Sequence, residues 1–168
     1  IMIGIDKKGN FYHYTGDVEN IENDTWINNA SPVSINASSN YKAQFVSNNE
    51  TLNFDIAFPI LHGTNGEDGR IQGLFELLGI KYVGCDMSAS SLSMDKYASK
   101  LIVHSHDILI PKSILVLENE TLDSLKQNVE RMKFPLFVKP LKAGSSYGIS
   151  KISEMNQLED ALDEAFKF

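Results

Sequence analysis

Five side chains in this sequence could bind a ligand or take part in a reaction, namely His62, Lys96, Lys139, Ser145 and Ser146. A histidine can gain or lose a proton near neutral pH, and a lysine ammonium is a compact positive charge suited to phosphate. The two serines lie in a glycine-bounded loop, whose backbone N–H groups could surround an anion. Together these residue types favour a site for an anionic ligand.

The elements around His62 predict where it lies. Residues 54–61 form an apolar run, and residues 62–69 form a polar loop that contains three glycines. A helix is predicted next, because apolar residues recur with helical spacing at Ile71, Leu74, Phe75 and Leu78. With a second short strand at residues 80–83, this is a βαβ unit, in which ligands bind at the loop after the first strand. His62 is therefore a candidate for binding a substrate, and a loop histidine bonded to nearby backbone is the alternative.

Two carboxylates, Glu67 and Asp68, precede the predicted helix. They could act as an acid–base pair or hold a metal ion. Carboxylates near a helix N-terminus also stabilise it, by about 0.3–1 kcal/mol each, because the helix dipole is positive there. We favour the structural role, since the second set of carboxylates that a metal would need is absent from the chain.

The two candidate lysines stand at the ends of predicted elements. Asp95 predicts the start of a helix over residues 96–105, which places Lys96 where a cation opposes the helix dipole. Such a local conflict is expected of a residue that serves a ligand, and a solvated surface lysine is the alternative. Lys139 ends an apolar strand at residues 136–139. Since an unpartnered buried charge is very costly, we predict that phosphate is the partner of Lys139.

Residues 143–148, which we call the serine loop, join the strand at 136–139 to a second predicted strand at 149–152. Two antiparallel strands joined by a glycine–serine loop are typical of a flap over a nucleotide, and a plain hairpin turn is the alternative. The serine loop is not a Walker A motif, which needs GxxxxGK[ST] before a helix, and no GxGxxG occurs in the sequence.

Composition limits the class of protein and of partner. The chain has 168 residues, of which 42% are hydrophobic and 22% charged, as in a globular protein with a real core. A formal charge of −7 argues against broad binding to nucleic acid or to an anionic membrane, although Lys139, Lys142 and Lys151 could form a local anion site. No run of about 20 apolar residues indicates a membrane span. The single cysteine, Cys85, favours a reducing compartment, and we expect a cytoplasmic protein.

The remaining pattern predicts an α/β chain in two parts that meet between residues 108 and 109. In the first part we expect a hairpin over residues 1–14, a short helix within 16–26 and an edge strand at 41–46. In the second part we expect a strand at 113–117, and then a helix that Thr121 caps and that turns Leu122, Leu125 and Val129 inward. We expect both ends to be cut from a longer enzyme, because residues 1–5 resemble the inside of a strand and the last helix stops at Phe168 without a cap.

Three segments in this order resemble the D-alanine–D-alanine ligases, ATP-grasp enzymes that include the D-alanine–D-serine ligases of vancomycin resistance. The segments are HGTNGEDGRIQGLFELLGIKYVG at 62–84, Met94-Asp95-Lys96, and FVKP at 137–140 together with AGSSYG at 143–148. The resemblance covers most of the chain and is weakest between residues 14 and 53.

The resemblance implies a fold and a reaction. The fold would be α/β, with a three-layer N-terminal domain of mostly parallel sheet over residues 1–108, lacking its first strand, and the start of an ATP-grasp domain over 109–168. The reaction would be ATP-dependent ligation of two D-amino acids for peptidoglycan precursors, through an acyl phosphate of D-alanine. By the same resemblance, His62 and Ser145 act at the first D-amino acid, and Lys96, Lys139 and Ser146 bind the phosphates of ATP.

The resemblance also implies Mg²⁺, but several motifs of the family have no counterpart in this chain. These are the metal ligands, the arginine near the transition state and the glycine-rich motif with a substrate-binding glutamate. We therefore assign no metal ligand here and expect the chain alone to be inactive. The expected partners are ATP, D-alanine, D-serine and a second copy in a homodimer. Two alternatives stay open, which are another ATP-grasp carboxylate–amine ligase and a non-catalytic α/β module that binds a small molecule.

Overall fold

The computed structural model describes residues 1–37 and 43–168. The strands are Met2–Ile5 (β1), Phe11–Tyr14 (β2), Ala30–Pro32 (β3), Ser34–Asn36 (β4), Gln44–Ser47 (β5), Glu50–Leu52 (β6), Leu136–Val138 (β7) and Ser150–Ile152 (β8). The α-helices are Glu19–Glu22 (α1), Arg70–Leu77 (α2), Met87–Met94 (α3), Lys96–Ser105 (α4), Leu122–Glu130 (α5) and Leu158–Ala165 (α6). The chain divides into two compact units, Ile1–Pro59 with Gly73–Gly84 and Ile60–Gln72 with Cys85–Phe168.

The first unit contains two antiparallel sheets, with strand orders β1-β2-β3 and β4-β5-β6. The predicted hairpin is confirmed, and the Asp6 carboxylate closes its turn by accepting hydrogen bonds from the backbone N–H groups of Lys8 (2.9 Å) and Asn10 (2.8 Å). Tyr14 and Phe45 are buried in this unit. The edge strand predicted at 41–46 is observed as the central strand β5, and its predicted first two residues lie outside the described part of the chain.

The mostly parallel sheet predicted for the N-terminal part is not confirmed, because every multi-stranded sheet among the described residues is antiparallel. The predicted strands at 54–61 and 80–83 meet only at a single parallel bridge between Ala57 and Tyr82. Two hydrogen bonds form this bridge, from Ala57 N to Lys81 O (2.8 Å) and from Val83 N to Ala57 O (2.9 Å). Apolar composition alone does not make a strand, because a strand also needs partners for its backbone groups.

The second unit has its own core, in which helices α5 and α6 pack against the antiparallel pair β7-β8. The buried members of this core are Leu125, Val129, Ile152, Leu158 and Ala161. Thr121 caps α5 as predicted, by accepting a hydrogen bond from Ser124 N. The strand predicted at 113–117 is wrong, since the structure assigns no strand there. The boundary between residues 108 and 109 stays a prediction.

None of the helices among the described residues is both long enough and apolar enough to cross a membrane.

Candidate functional site

Lys96 is placed by a helix that begins where the sequence predicts. The Asp95 carboxylate caps α4 by accepting hydrogen bonds from the backbone N–H groups of Tyr97 (3.0 Å) and Ala98 (2.8 Å). The backbone N–H of Lys96, which has no partner within the helix, donates instead to the carbonyl oxygen of Leu141 (3.2 Å). The first turn of α4 is therefore bonded to the segment that leads into the serine loop.

The ammonium of Lys96 reaches the same segment. Its Nζ donates to the carbonyl oxygen of Ala143 at 2.6 Å and lies 3.5 Å from that of Leu141. Partial burial lowers the pKa of Lys96, the positive charge of Lys139 lowers it further, and Asp95 opposes the shift. The positive charges of Lys96 and Lys139 therefore repel each other.

Lys139 follows β7, where side chains alternate between the two faces of the strand. Leu136 and Val138 pack against the core of the second unit, and Phe137 and Lys139 are exposed. The predicted burial of Lys139 is therefore wrong, and its exposed charge does not need a partner from within the protein. Its ammonium lies 5.6 Å from the centroid of the Phe137 ring, a cation–π distance that leaves the charge accessible to an anion.

The serine loop has an unusual backbone. Ser145 and Ser146 both have positive φ, at 48° and 60°, in the left-handed region that L-residues seldom occupy. Both are exposed, and neither backbone N–H donates a hydrogen bond to any residue that the structure describes. The loop is closed by a hydrogen bond from Tyr147 N to Gly144 O (3.1 Å). Two adjacent N–H groups are thus available to an anion at the position that the sequence predicts.

His62 lies on a separate loop, residues 62–69, which we call the histidine loop. The His62 side chain is exposed, and no described hydrogen bond, ion pair or ring contact involves it. Glu67 holds the loop by accepting a hydrogen bond from Gly63 N (2.6 Å), and its own N–H donates to Gly63 O (2.9 Å). This framework leaves the imidazole available to a ligand without forming a catalytic pair with another side chain.

Asp68 has the structural role that the sequence favoured. Its carboxylate accepts hydrogen bonds from Asn65 N (3.1 Å) and from Arg70 N (3.2 Å), the first residue of α2. It also forms an ion pair with the Arg70 guanidinium at 3.1 Å, and Arg70 in turn donates to Asn65 Oδ1 (2.9 Å). Asp68 therefore fixes the histidine loop and the start of α2, and both of its oxygens are occupied.

The structure thus brings Lys96, Lys139 and the serine loop together, and it shows no contact between them and His62 among the described residues. Sequence reasoning missed the attachment of Lys96 to two backbone carbonyls, because no local pattern marks a contact between residues 47 positions apart. It also grouped Lys142 with the anion site, whereas the Lys142 ammonium lies 3.8 Å from Asp95. No group of three or more potential metal ligands occurs among the described residues.

The family model described as "D-ala D-ala ligase N-terminus" matches residues 1–85, and the one described as "D-ala D-ala ligase C-terminus" matches residues 88–168. A D-alanine–D-alanine ligase of Thermoanaerobacter sp. (strain X514) is 41% identical over 99% of this chain and 48% of its own length. A vancomycin C-type resistance protein of Enterococcus gallinarum is 34% identical over 100% of this chain and 49% of its own.

A solved structure gives the same result for the fold. The VanG D-Ala:D-Ser ligase from Enterococcus faecalis superimposes with a TM-score of 0.87 and 41% identity, over 98% of this chain and 49% of that one. The chain spans about half the length of the curated relatives that it matches. These relatives therefore contain further sequence that has no counterpart in the 168 residues of this chain.

Proposed function

We propose, since this chain belongs to the D-alanine–D-alanine ligase family, that the whole protein joins two D-amino acids at the expense of ATP to make peptidoglycan precursors. The observation that supports this most directly is the meeting of Lys96, Lys139 and the serine loop in one part of the second unit. Two ammonium groups and two available N–H groups supply the positive charge and the hydrogen-bond donors that bind a triphosphate.

The proposed reaction has two steps, transfer of a phosphoryl group and attack by an amine. A carboxylate oxygen of the first D-alanine attacks the γ-phosphorus of ATP and ADP leaves, which forms an acyl phosphate. The amine of the second D-amino acid then attacks the acyl carbon, phosphate leaves and the amine loses a proton. In both steps the residues of this chain act by positioning and by stabilising charge on the transferred phosphoryl group.

Each candidate residue has a proposed role in this reaction. Lys139 and Lys96 contact the phosphates, with Ser146 beside them, and Ser145 and His62 hold the first D-alanine. Mg²⁺ would neutralise phosphate charge during the transfer, but the described carboxylates do not form a site that fits it. Asp68 and Glu67 are engaged with backbone N–H groups, so we propose that the metal ligands lie outside this chain.

Phosphate release by the whole protein tests the proposal. We expect release from ATP to require D-alanine, and we expect Lys139→Ala to lower it by about 10- to 100-fold, the effect of losing a hydrogen bond to a charged group. Lys133→Ala is the matched control, because Lys133 is an exposed lysine of the same segment that contacts none of the described site residues. His62→Ala and Ser145→Ala should each lower release by about tenfold or more and raise the KM for D-alanine.

Two results would contradict the proposal, namely release of phosphate that does not depend on D-alanine and variants that match the wild type. Comparing D-alanine alone with D-alanine plus D-serine identifies the second substrate, because the relatives named above include both a D-alanine–D-alanine ligase and a D-Ala:D-Ser ligase. We further propose a cytoplasmic, homodimeric enzyme. Sedimentation of the whole protein tests the dimer.

A further inference from the structure

The segment that enters the serine loop is fastened to the start of helix α4. Three hydrogen bonds make this attachment, two from the Lys96 ammonium to the carbonyls of Ala143 and Leu141 and one from Lys96 N to Leu141 O. A weaker contact supports it, since the Lys142 ammonium lies 3.8 Å from the Asp95 carboxylate. One residue, Lys96, therefore supplies every hydrogen bond of the attachment.

The backbone beyond this attachment needs to be held. A non-glycine residue in the left-handed region is strained, and such strain persists only where the surrounding structure enforces it. The serine loop contains two such residues in succession, Ser145 and Ser146. Their own N–H groups do not stabilise them, since neither donates to a described residue. The restraint therefore comes from the turn bond between Tyr147 N and Gly144 O (3.1 Å) together with the segments on either side.

We propose that Lys96 is a positioning residue for the serine loop, holding the carbonyls of Leu141 and Ala143 so that the N–H groups of Ser145 and Ser146 are oriented before nucleotide binds. An ammonium has three N–H donors, so two bonds to carbonyls leave one for a phosphate oxygen. The identity of that anion rests on the proposed function, whereas the anchoring does not. Lys96 thereby connects the position of the loop to the ligand that the loop receives.

The neighbouring lysines do not share this role. The only contact described for the Lys139 ammonium is with the ring of Phe137, so it makes no bond to the loop backbone. The Lys142 side chain is 60% exposed and its ion pair with Asp95 is long, and such surface pairs contribute little. Lys139 is therefore a matched control, because it is a lysine of the same site that does not anchor the loop.

Amide hydrogen exchange of the whole protein without nucleotide tests the anchoring. We expect Lys96→Met to accelerate exchange of the Tyr147 amide, the backbone N–H of residues 141–148 that donates to a described acceptor (Gly144 O, 3.1 Å), by about tenfold or more, because the loop that holds this bond loses its anchor. Lys139→Met should leave exchange of the Tyr147 amide within about twofold of the wild type. The amides of α6 serve as an internal reference, which should not change in either variant. If Lys96→Met fails to fold, Lys96→Gln replaces it, because its shorter side chain cannot reach both carbonyls.

The experiment separates three outcomes. Unchanged exchange in Lys96→Met, or equal acceleration in Lys139→Met, overturns the inference, because a lysine that only binds nucleotide has no effect when nucleotide is absent. Acceleration confined to residues 141–148 in Lys96→Met supports it. If that acceleration occurs while the wild type shows no D-alanine-dependent phosphate release, the proposed function fails and the anchoring stands.

Discussion

The histidine loop and the serine loop are held in opposite ways. In the histidine loop the carboxylates of Glu67 and Asp68 accept hydrogen bonds from backbone N–H groups. In the serine loop the ammonium of Lys96 donates to backbone carbonyls. In the histidine loop the backbone N–H groups are used for hydrogen bonds to these carboxylates. In the serine loop the backbone N–H groups of Ser145 and Ser146 remain available to a ligand. A loop that must receive an anion is thus better anchored by a cation than by a carboxylate.

One glycine in each loop shows a further difference in packing. A Cβ atom at Gly66 in the histidine loop would lie 2.5 Å from the Leu61 Cβ and 2.8 Å from its carbonyl carbon. A Cβ at Gly144 in the serine loop would meet nothing within 4 Å. The backbone at Gly66 is therefore closely packed, whereas the backbone at Gly144, next to the two serines, leaves room for a ligand.

The largest effect that we expect from this comparison is on stability at the packed glycine. Gly66→Ala should lower the free energy of unfolding of the whole protein by about 2–3 kcal/mol, because the new methyl group meets backbone atoms of Leu61 that cannot move aside. Gly144→Ala is the matched control and should change it by less than about 0.5 kcal/mol. Urea denaturation measures both, and equal effects would contradict the difference in packing.

A smaller effect is expected from the carboxylate that fixes the histidine loop. Asp68→Ala should destabilise the whole protein by about 1–2 kcal/mol, because two backbone N–H groups and a guanidinium lose a largely buried acceptor. Asp123→Ala is the control, since Asp123 also pairs with a cation, Lys126, but its side chain is 88% exposed, against 13% for Asp68. Thermal unfolding should show no measurable change in stability for Asp123→Ala. A comparable loss of stability in both variants would mean that burial of the carboxylate does not determine the size of the effect.

The smallest effect concerns charge in the serine-loop site. Lys139→Met should raise the pKa of Lys96, because the positive charge of Lys139 helps to lower it and Asp95 remains in place to raise it. The rate at which an acylating reagent modifies Lys96, followed against pH by mass spectrometry without nucleotide, reports this pKa. The midpoint should move to higher pH in Lys139→Met and stay in place in Lys133→Met. An unchanged midpoint in Lys139→Met would show that the charge of Lys139 does not act on Lys96.

Local sequence patterns predicted the elements that carry the lysines. Asp95 correctly predicted helix α4, because a carboxylate at the N-cap satisfies N–H groups only a few residues away. Thr121 predicted α5 for the same reason, and the antiparallel pair β7-β8 followed from two short apolar runs on either side of a loop. In each case the interaction that decides the structure lies close in sequence.

The features that failed depend on distant residues. The runs at 54–61 and 113–117 have the composition of strands, yet their pairing is decided by segments that composition does not identify. The exposure of Lys139 was missed because the apolar character of its strand hid the alternation between two faces. The bonds from Lys96 to Leu141 and Ala143 could not be predicted. Every residue has a backbone carbonyl, so the sequence does not show which of them accepts a hydrogen bond.

The left-handed backbone at Ser145 and Ser146 has a consequence for reading natural variation at these positions. Glycine and asparagine enter this region readily, and β-branched residues are almost excluded from it, whatever the ligand. The backbone conformation therefore restricts which residue types can occur at these two positions, whether or not a hydroxyl group is needed there. A serine retained at either position in other sequences is not by itself evidence of a phosphate contact. A homologue with glycine there would separate the contribution of the backbone from that of the side chain.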